Sequence, residues 1–272
     1  MYGYFGVSWQ GGADHKGRVA RQRRDLHRAA ASGCSLMHLS HLGDVVATRS
    51  LLDLAHDLGV AVILEDLERA DAALLAGHPA FLALNVGDDA NTKPLDAVRG
   101  ACLAAPAGLP RYLSMYHEPD KPRPDLFGLA EIVGMESYTA TKGPLSVAYT
   151  AWTAGRQFAD RAGNRFFAVL QVHDIGSGLP SADYVRAQVW LAAACGADAL
   201  LAYTMLDGGG PVAPHLHEAF VASAAEVQAL TSGRARVTAR ADLGSLTATW
   251  PGGVSALLSL GADARVLNLN RR

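Results

Sequence analysis

Short apolar runs alternate with amphipathic stretches along most of this chain, and glycine marks the change from helix to strand at Gly33, Gly59, Gly163 and Gly196. A continuous apolar run of five to eight residues is how a strand buried on both faces reads, and a glycine just past a helical stretch is the usual C-terminal stop. On this pattern the spacing predicts strands at 4–9, 35–41, 60–65, from Phe81 onward, and at 111–116, 132–138, 166–172 and 199–205. The helices between and after them fall at 18–32, 48–58, 68–76, 94–104, 145–162, 182–194 and 217–230. Pro119, Pro122 and Pro124 leave room for only a short helix, around 125–130, after the fifth strand. Eight strands, each followed by a helix, make a closed (β/α)8 TIM barrel. Gln10, Gly11 and Gly12 after the first strand do not form the glycine fingerprint that a dinucleotide-binding sheet would carry there.

From 235 the character changes. Alternating runs at 237–241, 246–250, 254–260 and 265–269, separated by glycine-rich turns, predict three or four antiparallel strands packed on the barrel. The expected organisation is a barrel over residues 1–234 with a small β-rich appendage over 235–272.

Composition narrows the function. With 272 residues, half of them hydrophobic, the chain can bury one large core. A net charge of −2 supplies no basic field for a polyanion, so nucleic acid is not an expected partner. No apolar run reaches the length of a bilayer span, and the first residues lack the layout of a signal peptide, so the expected setting is cytoplasmic. Cys34, Cys102 and Cys195 are far apart in apolar surroundings and read as reduced core thiols.

In such a barrel the chemistry sits at the C-terminal ends of the strands. The residues expected there are Trp9 on strand 1, His38 and His41 on strand 2, Glu65 and Asp66 on strand 3, and Asp88 and Asp89 on strand 4. Strand 5 contributes Tyr116, His117 and Glu118, strand 6 Glu136 and Tyr138, strand 7 Gln171, His173 and Asp174, and strand 8 Tyr203 with Asp207. Side chains alternate across a strand, and a polar group in mid-strand is costly against the helix layer. Asn85, Ser114 and Gln171 therefore face the axis, which makes Asp89, Tyr116, Glu118 and His173 axial and puts Asp88 and Asp174 on the other parity. Glu65 and Glu136 are placed inward on chemistry.

Several carboxyls among aromatic and hydrogen-bonding side chains form the makings of a sugar site. Glycoside hydrolysis needs one protonated carboxyl and one ionised carboxylate, and crowding acids in a partly dry pocket supplies both states at one pH. The run Ala83-Leu-Asn-Val-Gly-Asp-Asp-Ala-Asn91 resembles the fourth-strand signature of barrel glycoside hydrolases, which ends in Asp-Glu-Pro or Asn-Glu-Pro. Glu131-Ile-Val-Gly-Met-Glu-Ser-Tyr138 is similar to their sixth strand. Phe167-Ala-Val-Leu-Gln171 and the segment from Val185 to Tyr203 are similar to their last strands and the helix between. The resemblance implies a glycosidase without cofactor or metal, acting on a carbohydrate. It nominates Asp89, Glu136, Asp174 and Glu118 for catalysis, with Trp9, His38, Glu65, Asp88, Tyr116, Tyr138, Gln171, His173 and Tyr203 around the sugar. Some of these families pair strand 4 with strand 6, which favours Glu136, and others strand 4 with strand 7, which favours Asp174. Asp89 stands where the family has Glu, and Ala90 where it has Pro, so either the partner is arranged differently here or catalysis has been lost.

Other readings stay open. A non-catalytic carbohydrate-binding barrel would account for Asp89 in place of Glu. A phosphosugar isomerase or aldolase is suggested by Gly176-Ser-Gly178 and Gly208-Gly-Gly210, although no lysine lies within a strand. A metal-dependent hydrolase could draw on His38, His41, Glu65, His117 and His173, although the His-x-His pair typical of the first strand is missing. Oligomeric state is not legible.

Overall fold

A computed structural model describes residues 1–5, 15–116, 123–140, 143–176, 178–207, 210–240 and 242–271. Eight parallel strands close into a barrel in sequence order: β1 (Tyr2–Phe5), β2 (Leu36–Ser40), β3 (Ala61–Glu65), β4 (Phe81–Gly87), β5 (Arg111–Tyr116), β6 (Ile132–Ser137), β7 (Arg165–Gln171) and β8 (Ala199–Tyr203), with β8 pairing back onto β1. Around them lie α1 (His15–Ala31), α2 (Val45–Asp57), α3 (Arg69–Leu75), α4 (Leu95–Ala104), α5 (Ser146–Ala162), α6 (Ala182–Ala194) and α7 (Pro214–Leu230). The four glycines that punctuate the sequence all have positive φ, between 70° and 78°, the left-handed turn that reverses a helix toward its next strand.

Two expectations are corrected. After β5 the described residues hold a single 3₁₀ turn, Pro124–Leu126, in place of a helix over 125–130, and Gly128, a weak helix former, follows two residues later. The first strand begins earlier than expected, at Tyr2, and is described over Tyr2–Phe5; residues 6–9 of the expected strand lie outside the described residues. Gly3, a weak strand former, is required in β1: a Cβ on it would lie 1.5 Å from the carbonyl oxygen of Leu36 on β2.

The barrel interior is a separate apolar cluster. Phe5, Leu36, Ile63, Ala83, Tyr112, Ile132, Phe167, Val169, Ala199 and Leu201 fill it, while the outward-facing side chains join the larger core under the helices. Trp152 belongs to that layer, where its indole N–H donates to the Met135 carbonyl at 3.0 Å.

The C-terminal residues form an antiparallel four-stranded sheet in sequence order: β11 (Arg236–Ala239), β12 (Ser245–Thr249), β13 (Ser255–Ser259) and β14 (Val266–Asn270). A two-residue ribbon of β9 (Leu206–Asp207) and β10 (Gly210–Pro211) precedes α7. Alternating Leu246, Ala248, Ala256 and Leu258 bury one face of the sheet. Trp250 meets Trp190 of α6 edge to face with centroids 5.5 Å apart, and the backbone N–H of Ser146 donates to Leu260. No helix among the described residues is long and apolar enough to cross a membrane.

Candidate active site

The strand ends open into a cavity of about 430 Å³. Glu65, Asp88, Asp89 and Glu136 supply its acids, Phe5, Tyr116, Tyr138 and Tyr203 its aromatic walls, and Ile175 its remaining apolar edge. Tyr138 stands between Tyr116 and Tyr203, with ring centroids 6.1 and 5.3 Å away, so the aromatic side is one continuous surface. Flat apolar surface beside carboxyls suits an amphipathic ligand.

Strand alternation accounts for most of this wall, but β4 departs from it. Asn85 pairs with Tyr112 and Gly87 with Leu113, so Val86 is an extra residue and the strand is bulged. Asn85 and Tyr112 face the axis; Gly87, opposite Leu113, faces the helices. The next residue inward is therefore Asp88, level with Ser114, whose hydroxyl donates to Asp88 Oδ1 at 2.6 Å. The bulge overturns the parity expected for Asp88. Asp89 also reaches the cavity, from a left-handed backbone with φ 46° and ψ 42°.

The bulge is braced from inside. The Asn85 side-chain oxygen accepts the Gly87 N–H at 3.1 Å, which turns its NH₂ toward His38 Nε2 at 3.0 Å. His38 is fully buried beneath the cavity, stacked on Phe5 with ring centroids 4.2 Å apart. Burial holds its imidazole down at about 4 against the pull of Asp88 and Asp66, so the ring is neutral and Nε2 can accept that proton. His38 is thus a brace under the site and not part of its wall. Glu65 stands beside it, accepting from Ser40 at 2.5 Å, with its carboxyl raised by burial and by Asp88 against the Ser40 and Asn85 donors.

Glu136 is the most perturbed acid of the mouth. Only 4% exposed, it is pushed up to about 8, first by burial and then by Asp88 and Asp89; the nearby Ser114 and Tyr138 hydroxyls work the other way. Its Oε1 accepts no hydrogen bond from the described residues. At neutral pH this carboxyl holds its proton while facing two aspartates.

Other expected residues do different work. The Gln171 side chain accepts from Ala140 N–H and donates to the His173 carbonyl, tying two loops together below the mouth. His173 is buried with Nδ1 3.3 Å from the Asp174 carbonyl, and it does not line the cavity. Asp174 is exposed, and its Oδ1 accepts the backbone N–H groups of Gly176 and Gly178 at 2.7 and 2.8 Å. The Gly176 and Gly178 amides, which a phosphate in this loop would call on, already carry a carboxylate. His41 bonds Thr48 and lies 3.4 Å from Asp71, away from the mouth. No group of three or more His, Cys, Asp or Glu among the described residues is placed to hold a metal ion. Trp9, His117 and Glu118 lie outside the described residues, as does the side chain of Asp207. Sequence reasoning missed Phe5, Ile175 and the part played by Ser114. Ser114 was legible as an axial hydroxyl, but its partner depends on the bulge.

No protein-family model and no curated protein matches this sequence. Among solved structures the barrel superposes on a candidate alpha-L-fucosidase from Bacteroides thetaiotaomicron with a TM-score of 0.59 and 12% identity, covering 82% of this chain and 92% of that one. A beta-galactosidase from Halorubrum lacusprofundi gives 0.65 at 11% identity, over 87% of this chain and 59% of its own. Gas2p of Saccharomyces cerevisiae, solved with laminaripentaose, gives 0.56 at 11%, over 82% and 64%. The likeness is one of fold. What the chain shares with them is the (β/α)8 barrel, and it spans under two thirds of the latter two proteins.

Proposed function

We propose that this chain is a glycoside hydrolase, with Glu136 as the protonated general acid and a strand-4 aspartate as its ionised partner. The observation that carries the reading is the buried Glu136 carboxyl, one oxygen of which has no hydrogen-bond partner among the described residues, pushed up to about 8 where it faces Asp88 and Asp89. One carboxyl that stays protonated beside others that carry charge is what protonating a leaving oxygen requires. The aromatic wall supports a sugar face, and the glycosidase barrels of similar fold support the class of reaction. Asp88 is favoured over Asp89 as partner. It is oriented by Ser114 and outranks Asp89 among the charges that raise Glu136.

Reducing-end release from a broad oligosaccharide panel tests this with wild type, Asp88→Asn, Asp89→Asn and Glu136→Gln in parallel. The expected result is turnover that Glu136→Gln and Asp88→Asn lower by about 10²–10⁴-fold, the usual worth of a positioned acid or base, with Asp89→Asn less affected. Wild-type turnover untouched by all three refutes the assignment. Sugar binding without turnover would favour the non-catalytic barrel, the reading suggested by Asp89 in place of Glu.

A further inference from the structure

A second cleft, of about 420 Å³, lies beside the first over the outer rim of β3 and β4. It exists because the helix layer is thin there. α3 is only seven residues long and begins at Arg69, and the facing wall of α4 is built from Ala101 and Ala104, with Ala105 just beyond, so no side chain on that wall reaches past Cβ. Leu84 and Val86 of β4 give an apolar floor, and Asp66, Glu68 and Lys93 stand at its edge. Apolar floor with polar rim is again the pattern that accepts a sugar ring.

Among the described residues only Glu65 and Asp88 line both cavities. Asp88 is exposed, as a ridge between two spaces must be, and the bulge at Val86 that turns it inward also shapes the floor of the second cleft. A carboxylate that cleaves between two units must stand where the two units meet. We infer that the cleft between α3 and α4 is a subsite for the sugar unit next to the one held in the barrel mouth, with the scissile linkage over Asp88. This rests on the glycosidase reading and deepens it: the substrate is an oligosaccharide and not a simple monoglycoside.

The test fills the cleft from its exposed wall. Ala104 ends α4 in solvent, and Ala104→Trp puts an indole into the cleft without touching the core. Leu103→Trp, at a neighbouring residue that is 80% exposed and lines no part of the cleft, is the control. The readout is kcat/KM for laminari-, cello-, xylo- and maltotetraose divided by that for the matching 4-nitrophenyl monoglycoside, with calorimetric binding of the same tetraoses. Ala104→Trp is expected to lower that ratio at least tenfold, through KM, and to weaken tetraose binding at least tenfold, while Leu103→Trp changes neither. Equal effects on both substrate lengths, or none, overturn the subsite. If wild type binds a tetraose but cleaves nothing, the glycosidase reading falls while the binding comparison still decides the cleft. A wild type that neither cleaves nor binds any of the four overturns both.

Discussion

Replacing Glu136 with glutamine separates what this residue does for stability from what it does for chemistry. In the folded chain burial and two neighbouring aspartates raise the carboxyl from 4.5 to about 8. A raised acid is neutral in the fold and ionised in the unfolded chain between those two values. The folded state then binds more protons, and stability falls as pH rises through the window. At about 1.4 kcal/mol per pH unit, the loss reaches about 2 kcal/mol at pH 6 and at most about 5 kcal/mol at pH 8, relative to pH 4. Glutamine fills nearly the same volume and cannot ionise, so Glu136→Gln escapes this loss. Its advantage over wild type is near zero at pH 4 and grows to an upshift in Tm of about 10 °C or more at pH 8, at about 2–4 °C per kcal/mol for a chain of this size. Thermal melts of both proteins at pH 4, 6 and 8 measure it. A Tm difference that does not change with pH would refute the claim that Glu136 is held neutral by its surroundings. The same variant is expected to lose turnover, so a more stable but inactive protein is the signature.

Ser114→Ala removes the hydroxyl that donates to Asp88 and that holds Glu136 down. Turnover is expected to fall by about 10–100-fold, the worth of a hydrogen bond to a charged group, and the alkaline limb of the pH–rate profile to move to higher pH; a limb that stays or moves down contradicts the placement of Ser114. Gly134→Ala would set a Cβ 2.0 Å from the hydroxyl of Tyr112, a fully buried ring near Phe5, His38 and Phe167. A loss of about 3 kcal/mol or more is expected from such overpacking, and a urea midpoint equal to wild type would contradict the packing of the barrel centre.

The barrel was legible because its signals are local. A buried parallel strand declares itself by a continuous apolar run, and Gly33, Gly59, Gly163 and Gly196 each mark a backbone turn that other residues resist. Where a residue is chosen by a contact across the sheet, local signals mislead. Gly3 argues against a strand on propensity, yet the closeness of Leu36 requires it within β1. The roles of Gln171 and Asp174 hide in the same way: both residue types suit a sugar site, and both are occupied with backbone groups of the surrounding loops.

The site itself turns on a register, which no single strand carries. Parity from Asn85 selects Asp89, and it would be right for an unbroken β4; the extra residue at Val86 passes the inward position to Asp88. Nothing in Leu84-Asn85-Val86-Gly87 announces a bulge except Gly87, because its cause is distributed. Asn85 closes it by accepting the Gly87 N–H, His38 of β2 holds the Asn85 amide, and Ser114 of β5 receives Asp88. The buried neutral imidazole of His38 is what makes this arrangement self-consistent, since a protonated ring would present a donor to the Asn85 NH₂ and release the brace. The aspartate pair on strand 4 and the bulge therefore belong together, since without the extra residue at Val86 the inward position would fall to Asp89. An aspartate delivered one position earlier, pinned by Ser114 and set between two cavities, faces Glu136 through a change of backbone register.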